Sequence, residues 1–426
     1  MKGNHPELSI KFAKGEPLLS SRLRQLHNDF SLSAFIVGLI ATMVSYAGPL
    51  LIVFQAAKVA GLSEAHLSSW IWAISFGTGL TAIVLSIWFK APIITAWSTP
   101  GVVLLVASWS AYSFSDAIGA FLFAGLAITL LGISGLFTKI MKHVPQSITT
   151  AMLAGILLSF GVQVFVSMQD FPALAIAMLL TYLLAKRWTP RYAVVFSLLV
   201  GVAIAFGFGR MHLDHIQVKL AEPIFTMPTF SLDAIIGLGI PLFIVTMASQ
   251  NAPGMSVLKA DGYDTPASPL IATTGLASFL MAPFGSHGIN LAAITAAICT
   301  GKEAHPDPDK RYIAGISSGL FYLVFGMFGA TIASVFSAFP KELTAVIAGL
   351  ALFASLISSL TSAMSEPSHR ESALITFLVT ISGMSIAGIG AAFWGLVAGV
   401  VTNLILNGDV RRWFTNAKHK KSSTES

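Results

Sequence analysis

Three polar stretches interrupt apolar segments, and the groups they carry suit holding a solute rather than breaking its bonds. Ser249-Gln250-Asn251-Ala252-Pro253-Gly254 offers two amides and a hydroxyl. Phe284-Gly285-Ser286-His287-Gly288-Ile289-Asn290 adds an imidazole, a hydroxyl, an amide and two glycines, and Trp97-Ser98-Thr99-Pro100-Gly101 supplies hydroxyls beside a proline. Gln250 and Asn251 can donate to a carboxylate while orienting it. Thr99 is placed to cap a helix with Pro100 at its first position, after an extended run Ala91 to Ser98. In the second half, Phe284 to Ser286 is expected to be extended, with a helix opening at His287 or Gly288 and running through Ile298. Two half-helices would then face each other with their positive N-terminal ends, and their free backbone N–H groups bind an anion without arginine. The expected substrate contacts are therefore Tyr46, Ser98, Thr99, Gly101, Gln250, Asn251, Phe284, Ser286, Gly288 and Asn290. His287 is the titratable group placed near the centre and the candidate for carrying a proton. The structural alternatives are kinks made for packing, amides that bond between helices and a neutral histidine.

Residues of this kind need a scaffold, and the composition says which. Of 426 residues 55% are apolar and 10% charged, with mean hydropathy +0.78; a soluble domain carries roughly a quarter charged residues. Apolar runs of about 20 residues, the length that crosses a bilayer, recur through the chain. The expected fold class is an all-α polytopic membrane protein. It has about 14 spans in two groups of seven, with discontinuous spans 3 and 10. The expected divisions are a cytoplasmic tail at 1–29, a first repeat at 30–209, an outer connection at 210–229, a second repeat at 230–406 and a cytoplasmic tail at 407–426. Of the 25 basic residues only Lys58, Arg210, Lys219 and Lys341 fall in outer loops, which puts both tails inside. The basic excess thus sets orientation and does not point to nucleic acid. No cleavable leader is expected at residues 1–29, and the lone Cys299 cannot form an internal disulfide.

The two groups echo each other. Met-x-Ser-x-x-x-Pro occurs at Met43 to Pro49 and again at Met247 to Pro253. Ala91-Pro92 precedes the Trp97–Gly101 stretch as Ala282-Pro283 precedes Gly285–Gly288. Repeats with an odd number of spans must be inverted in the membrane, and inverted repeats with broken helices meeting near the midplane are a secondary-transporter design. Gly132-Ile133-Ser134-Gly135 and Gly315-Ile316-Ser317-Ser318-Gly319 match hydrolase boxes in letters only, since neither falls on a strand-to-helix turn. No metal, cofactor or enzymatic activity is expected. Gly395 and Gly399 read as a helix-packing pair.

In these residues the sequence resembles the bacterial benzoate–proton symporter family, of the uracil-transporter-like seven-plus-seven fold. The likeness covers about Phe30 to Leu406 and rests on Tyr46-Ala47-Gly48-Pro49 together with the three stretches above. It implies a core domain (spans 1–4 and 8–11) moving against a gate domain (5–7 and 12–14), substrate between spans 3 and 10, and often a homodimer. Nucleobase carriers of that fold carry glutamates where this chain has Gln250, Asn251 and His287, which speaks against a uracil-like substrate. The expectation is uptake of benzoate or a related aromatic carboxylate with a proton, across a bacterial inner membrane. Carriers or channels for another anion, or for a neutral aromatic such as a nucleobase, are the alternatives.

Overall fold

The computed structural model describes residues 26–47, 49–137, 146–190, 193–211, 218–386 and 391–407. Gly48 of the Tyr46–Pro49 motif, most of the N-terminal tail and the C-terminal tail from 408 lie outside them. The first half contains α1 (Leu32–Ala47), α2 (Pro49–Val59), α3 (Glu64–Phe89), strand β1 (Thr95–Trp97), α4 (Thr99–Ser108), α5 (Phe114–Ser134), α6 (Gln146–Asp170), α7 (Pro172–Trp188) and α8 (Ala193–Gly207). The second contains α9 (Leu232–Ala260), α10 (Ala267–Met281), strand β2 (Ile289–Leu291), α11 (Ile294–Thr300), α12 (Tyr312–Met327), α13 (Gly329–Ser337), α14 (Lys341–Ala363), α15 (Arg370–Ile381) and α16 (Ala391–Asn407). Among the described residues seven helices are long and apolar enough to cross a membrane, and the pair α12–α13, bent by 66°, makes an eighth. The chain is a multi-pass membrane protein.

Prolines shape α9. It contains two π-helical turns, Ile235–Gly239 and Met247–Asn251, each ending two residues before a proline, Pro241 and Pro253. A proline lacks the N–H and crowds the preceding turn, and widening that turn by one residue relieves both faults. The second wide turn carries Gln250 and Asn251.

Glycines set the closest contacts. A Cβ on Gly132 of α5 would lie 2.3 Å from the Ala272 nitrogen of α10, and one on Gly275 would lie 2.5 Å from the Thr129 nitrogen. These two helices therefore touch backbone to backbone, the mode that small residues permit in membranes. Gly395 and Gly399 of α16 instead make room for the Thr380 and Thr376 side chains of α15, in keeping with the packing role expected of them. Gly132→Leu should prevent this approach and cost well over the 1–3 kcal/mol typical of overpacking. Detergent-solubilised protein would lose its single size-exclusion peak, whereas Ile133→Leu at a neighbouring exposed position would keep it.

Candidate functional site

Two short strands from opposite halves of the chain pair in the interior. β1 and β2 are antiparallel with Thr95 opposite Leu291, Ala96 opposite Asn290 and Trp97 opposite Ile289. Ser98 N donates to Gly288 O at 3.1 Å and Ala292 N to Ile94 O at 2.9 Å, which extends the ladder at both ends. The extended run follows from Pro92, which disfavours helix in the residue before it, and from β-branched Ile93, Ile94 and Thr95. On the other side Gly285 and Gly288 take φ of +104° and +145°, a backbone that side chains resist. They turn the chain from α10 into β2.

Each strand is clamped to the helix before it by one serine. Ser86 Oγ of α3 donates to Ile93 O at 3.1 Å and accepts from Ile93 N at 3.2 Å. Ser278 Oγ of α10 donates to Ile289 O at 3.1 Å and accepts from Ile289 N at 2.7 Å. Asn251 completes the set: its Oδ1 accepts from Leu291 N at 2.9 Å, and its Nδ2 faces the Met247 sulfur at 3.2 Å. With its amide turned to match its neighbours, Asn290 accepts from Ser98 N and donates to Leu291 O, both at 3.0 Å.

His287 joins the ladder to α3. Its Nδ1 accepts from the Trp70 indole N–H at 3.0 Å, and its Nε2 lies 3.0 Å from Ser98 O. An indole N–H can only donate and a carbonyl can only accept. Nδ1 must therefore present its lone pair while Nε2 carries the hydrogen. The imidazole is neutral in this arrangement, and a second proton can enter only if Trp70 moves away.

Several sequence expectations are corrected here. The residue capping α4 is Ser98, not Thr99: its Oγ accepts from Gly101 N at 3.1 Å, leaving Thr99 and Pro100 as the first two helical positions. No helix opens at His287 or Gly288. Residues 289–291 are strand, and α11 begins at Ile294, because the ladder holds this chain extended. The amides expected to cradle an anion are partly occupied, Gly101 N by Ser98 and the intervening Ile289 N by Ser278, while Asn290 lies opposite Ala96 in the ladder. Phe284 is not brought to the strand pair. Its ring meets Trp72 and Phe225 at centroid distances of 5.7 and 6.0 Å, and its carbonyl accepts from Ser69.

The remaining expected residues do converge. Tyr46 is buried with its hydroxyl 2.5 Å from Ser75 Oγ, and its ring stands edge-on to Trp97 at 5.3 Å and Phe325 at 5.1 Å. Tyr322 closes this aromatic box, 5.6 Å from Trp97. Gln250 is half-buried on the wide turn of α9. Around the ladder the Trp97 indole N–H and the Ser249 and Ser286 hydroxyls are buried without hydrogen-bonding geometry to any partner. The Tyr322 hydroxyl faces Ser45, whose own hydroxyl donates to Ala41 O and can accept from the phenol. Buried polar atoms are nearly always partnered, so these three are exceptions on segments that meet at one ladder. Trp70, Trp97 as a polar donor, Ser278 and Tyr322 were not anticipated. A fully buried indole or phenol in a broken-helix protein was the signal available in the sequence, since such groups seek a partner.

No group of three or more His, Cys, Asp or Glu among the described residues could hold a metal. A separate cleft of about 650 Å³ opens between α2–α3 and α6–α14, lined by Phe54, Gln55, Lys58, Gln163, Asp170 and Glu342 among others. None of its lining residues belongs to the strand pair.

The sequence matches the family model described as benzoate membrane transport protein over residues 28–405. The chain belongs to that family. It is 45% identical over 388 residues to the benzoate membrane transport protein of Acinetobacter baylyi, covering 91% of this chain and 98% of that one. It is 42% identical over 372 residues to the inner membrane protein YdcO of Escherichia coli, covering 87% and 95%. Among solved structures, the transmembrane domain of the cyanobacterial bicarbonate transporter BicA aligns with TM-score 0.56 at 14% identity, covering 87% of this chain and 97% of that one. Murine solute carrier 26 family member A9, an anion transporter, aligns in its inward-facing state with TM-score 0.55 at 13% identity, covering 93% and 72%. These likenesses place the fold among membrane transporters, and the family model and the Acinetobacter relative are named for transport rather than for an enzymatic activity.

The clamps carry a testable cost. Asn251→Leu leaves Leu291 N buried without an acceptor, worth about 1–3 kcal/mol. The thermal unfolding midpoint in detergent should fall, whereas Ser256→Ala on an exposed face of the same helix should leave it unchanged.

Proposed function

We propose that this protein takes up benzoate or a related aromatic carboxylate together with a proton, by alternating access between a core domain and a gate domain. The observation that carries the reading is the strand pair: two helix breaks from opposite halves meet in the interior beside an aromatic box and three unpartnered polar atoms. The box suits a ring, and the orphaned donors together with Gln250 suit a carboxylate. In this reading Tyr46, Trp97 and Tyr322 flank the ring, while Ser98, Thr99, Gly101, Gln250, Asn251, Ser286, Gly288 and Asn290 form or hold the polar side.

The same proposal takes the chain as fourteen spans in two inverted repeats of seven, with spans 3 and 10 broken at β1 and β2. The matching serine clamps support it, since Ser86 and Ser278 stand on the helices that precede the two breaks and make the same pair of bonds. The cleft between α2–α3 and α6–α14 supports a boundary between moving parts. We place both termini in the cytoplasm of a bacterial inner membrane and take the assembly as a homodimer.

Coupling to a proton answers an energetic need. A carboxylate is ionised at neutral pH, and bringing it into a negative-inside compartment costs about 2.3 kcal/mol per 100 mV. One accompanying proton cancels that charge, and each pH unit then supplies about 1.4 kcal/mol. His287 is the proposed carrier: protonating Nδ1 requires the Trp70 bond to open, which ties proton uptake to a swing of the Trp70 indole away from the imidazole.

The test is uptake of radiolabelled benzoate into proteoliposomes under an inward proton gradient. His287→Gln should abolish gradient-driven accumulation while keeping benzoate counterflow; accumulation that survives the change would move the proton site elsewhere. Gln250→Ala should raise the transport KM several-fold, and an unchanged KM would remove it from the site.

A further inference from the structure

The connection between the two halves is built the wrong way round for a loop in water. Residues 218–230 run extended across the ends of four helical segments, tied by their backbone. Lys219 N donates to Thr331 Oγ1 of α13 at 3.0 Å, Ala221 N to Met327 O of α12 at 2.7 Å and Ile224 N to Ser69 Oγ of α3 at 2.8 Å. Thr226 N then donates to Pro283 O, just past α10, at 2.8 Å, and Thr229 N to Ser115 O of α5 at 3.1 Å. Of the tied residues Ala221, Ile224 and Thr226 are half-buried. The large side chains exposed between them are apolar, with Glu222 the acidic exception: Leu220, Phe225 and Met227 are 63%, 60% and 74% exposed. Phe230 continues the row.

Two further observations say what covers this row. Trp72, Phe76, Leu80 and Val84 follow Ser69 along α3 at spacings of three and four, hence on one face, and Leu80 and Val84 are exposed in a helix apolar enough to cross a membrane. The row joins this face through touching rings: Phe76 stacks on Trp72 at 4.7 Å, Trp72 meets Phe284 and Phe284 meets Phe225. With Glu64 set at the water-facing boundary, Ser69, five residues inside α3, lies about 8 Å deeper at 1.5 Å per residue, near the inner edge of a headgroup region roughly 5–8 Å thick. Aromatic residues gather at that level.

We propose that residues 218–230 are a lipid-binding strap, lying in the membrane interface at the Glu64 end of α3 with Leu220, Phe225 and Met227 among the lipids. Every tie listed above goes to a helix of the proposed core, so the strap would float that group of helices at a fixed depth.

The experiment uses full-length protein in phosphatidylcholine–phosphatidylglycerol vesicles, with Cys299→Ala as background and single cysteines at Leu220, Phe225, Met227 and, as a water-facing reference, Glu222. Each is labelled with bimane. At Phe225 and Met227 the emission should be blue-shifted and lost to phospholipids carrying a shallow nitroxide, while aqueous iodide leaves it; Glu222 should show the reverse. Leu220→Cys gives an independent reading if either aromatic-row variant fails to fold. Iodide quenching at Leu220, Phe225 and Met227 equal to that at Glu222, without nitroxide quenching, would overturn the proposal. So would efficient cross-linking of Phe225→Cys between two copies, since the row would then be a protein interface. None of these readings depends on which solute is carried.

Discussion

A backbone that leaves helical geometry inside a membrane must find other partners for its N–H and C=O groups, and here the ladder between β1 and β2 provides them. In hydrocarbon an unpaired amide costs several kcal/mol, so neither break would be tolerable alone. Pairing one break with the other solves the problem for both at once. The serines at 86 and 278 and the amide of Asn251 then satisfy the edges that the ladder leaves bare. Where two helices stop, polar atoms gather, and the Trp97 indole N–H and the Ser286 hydroxyl remain without a partner.

The packing around the ladder separates what is rigid from what can move. α5 and α10 meet backbone to backbone through Gly125, Gly132 and Gly275, and α3 meets α12 through Gly79, Gly315 and Gly319. Interfaces of that kind have no soft side chains to absorb displacement. The boundary between α2–α3 and α6–α14 instead holds a cleft with acidic, basic and amide groups on its walls.

Much of this was legible in the sequence because it is written in local chemistry. Pro92 and the β-branched residues after it announced the extended run, and the Ser-Thr-Pro-Gly stretch announced a helix start within one residue of its true cap. The apolar runs announced a multi-pass membrane chain, and Gly395 and Gly399 their own packing. What escaped was pairing between distant segments. Nothing near His287 says that Trp70, 217 residues away, will take its Nδ1 lone pair. The second half-helix was placed too early for the same reason: His287 and Gly288 are plausible helix starters by themselves, and only the partner strand decides that Ile289–Leu291 stays extended. The wide turns of α9 could have been suspected from Pro241 and Pro253, but a proline kink and a π-turn share one sequence signal.

The ladder also has a consequence in time. Trp97 and Ile289 face each other across it, yet nearly half the chain separates them. A ribosome adding about 5–20 residues per second needs roughly 10–40 s to travel from one to the other. Throughout that interval β1 lacks its partner strand, so the ladder can close only after Leu291 has been made.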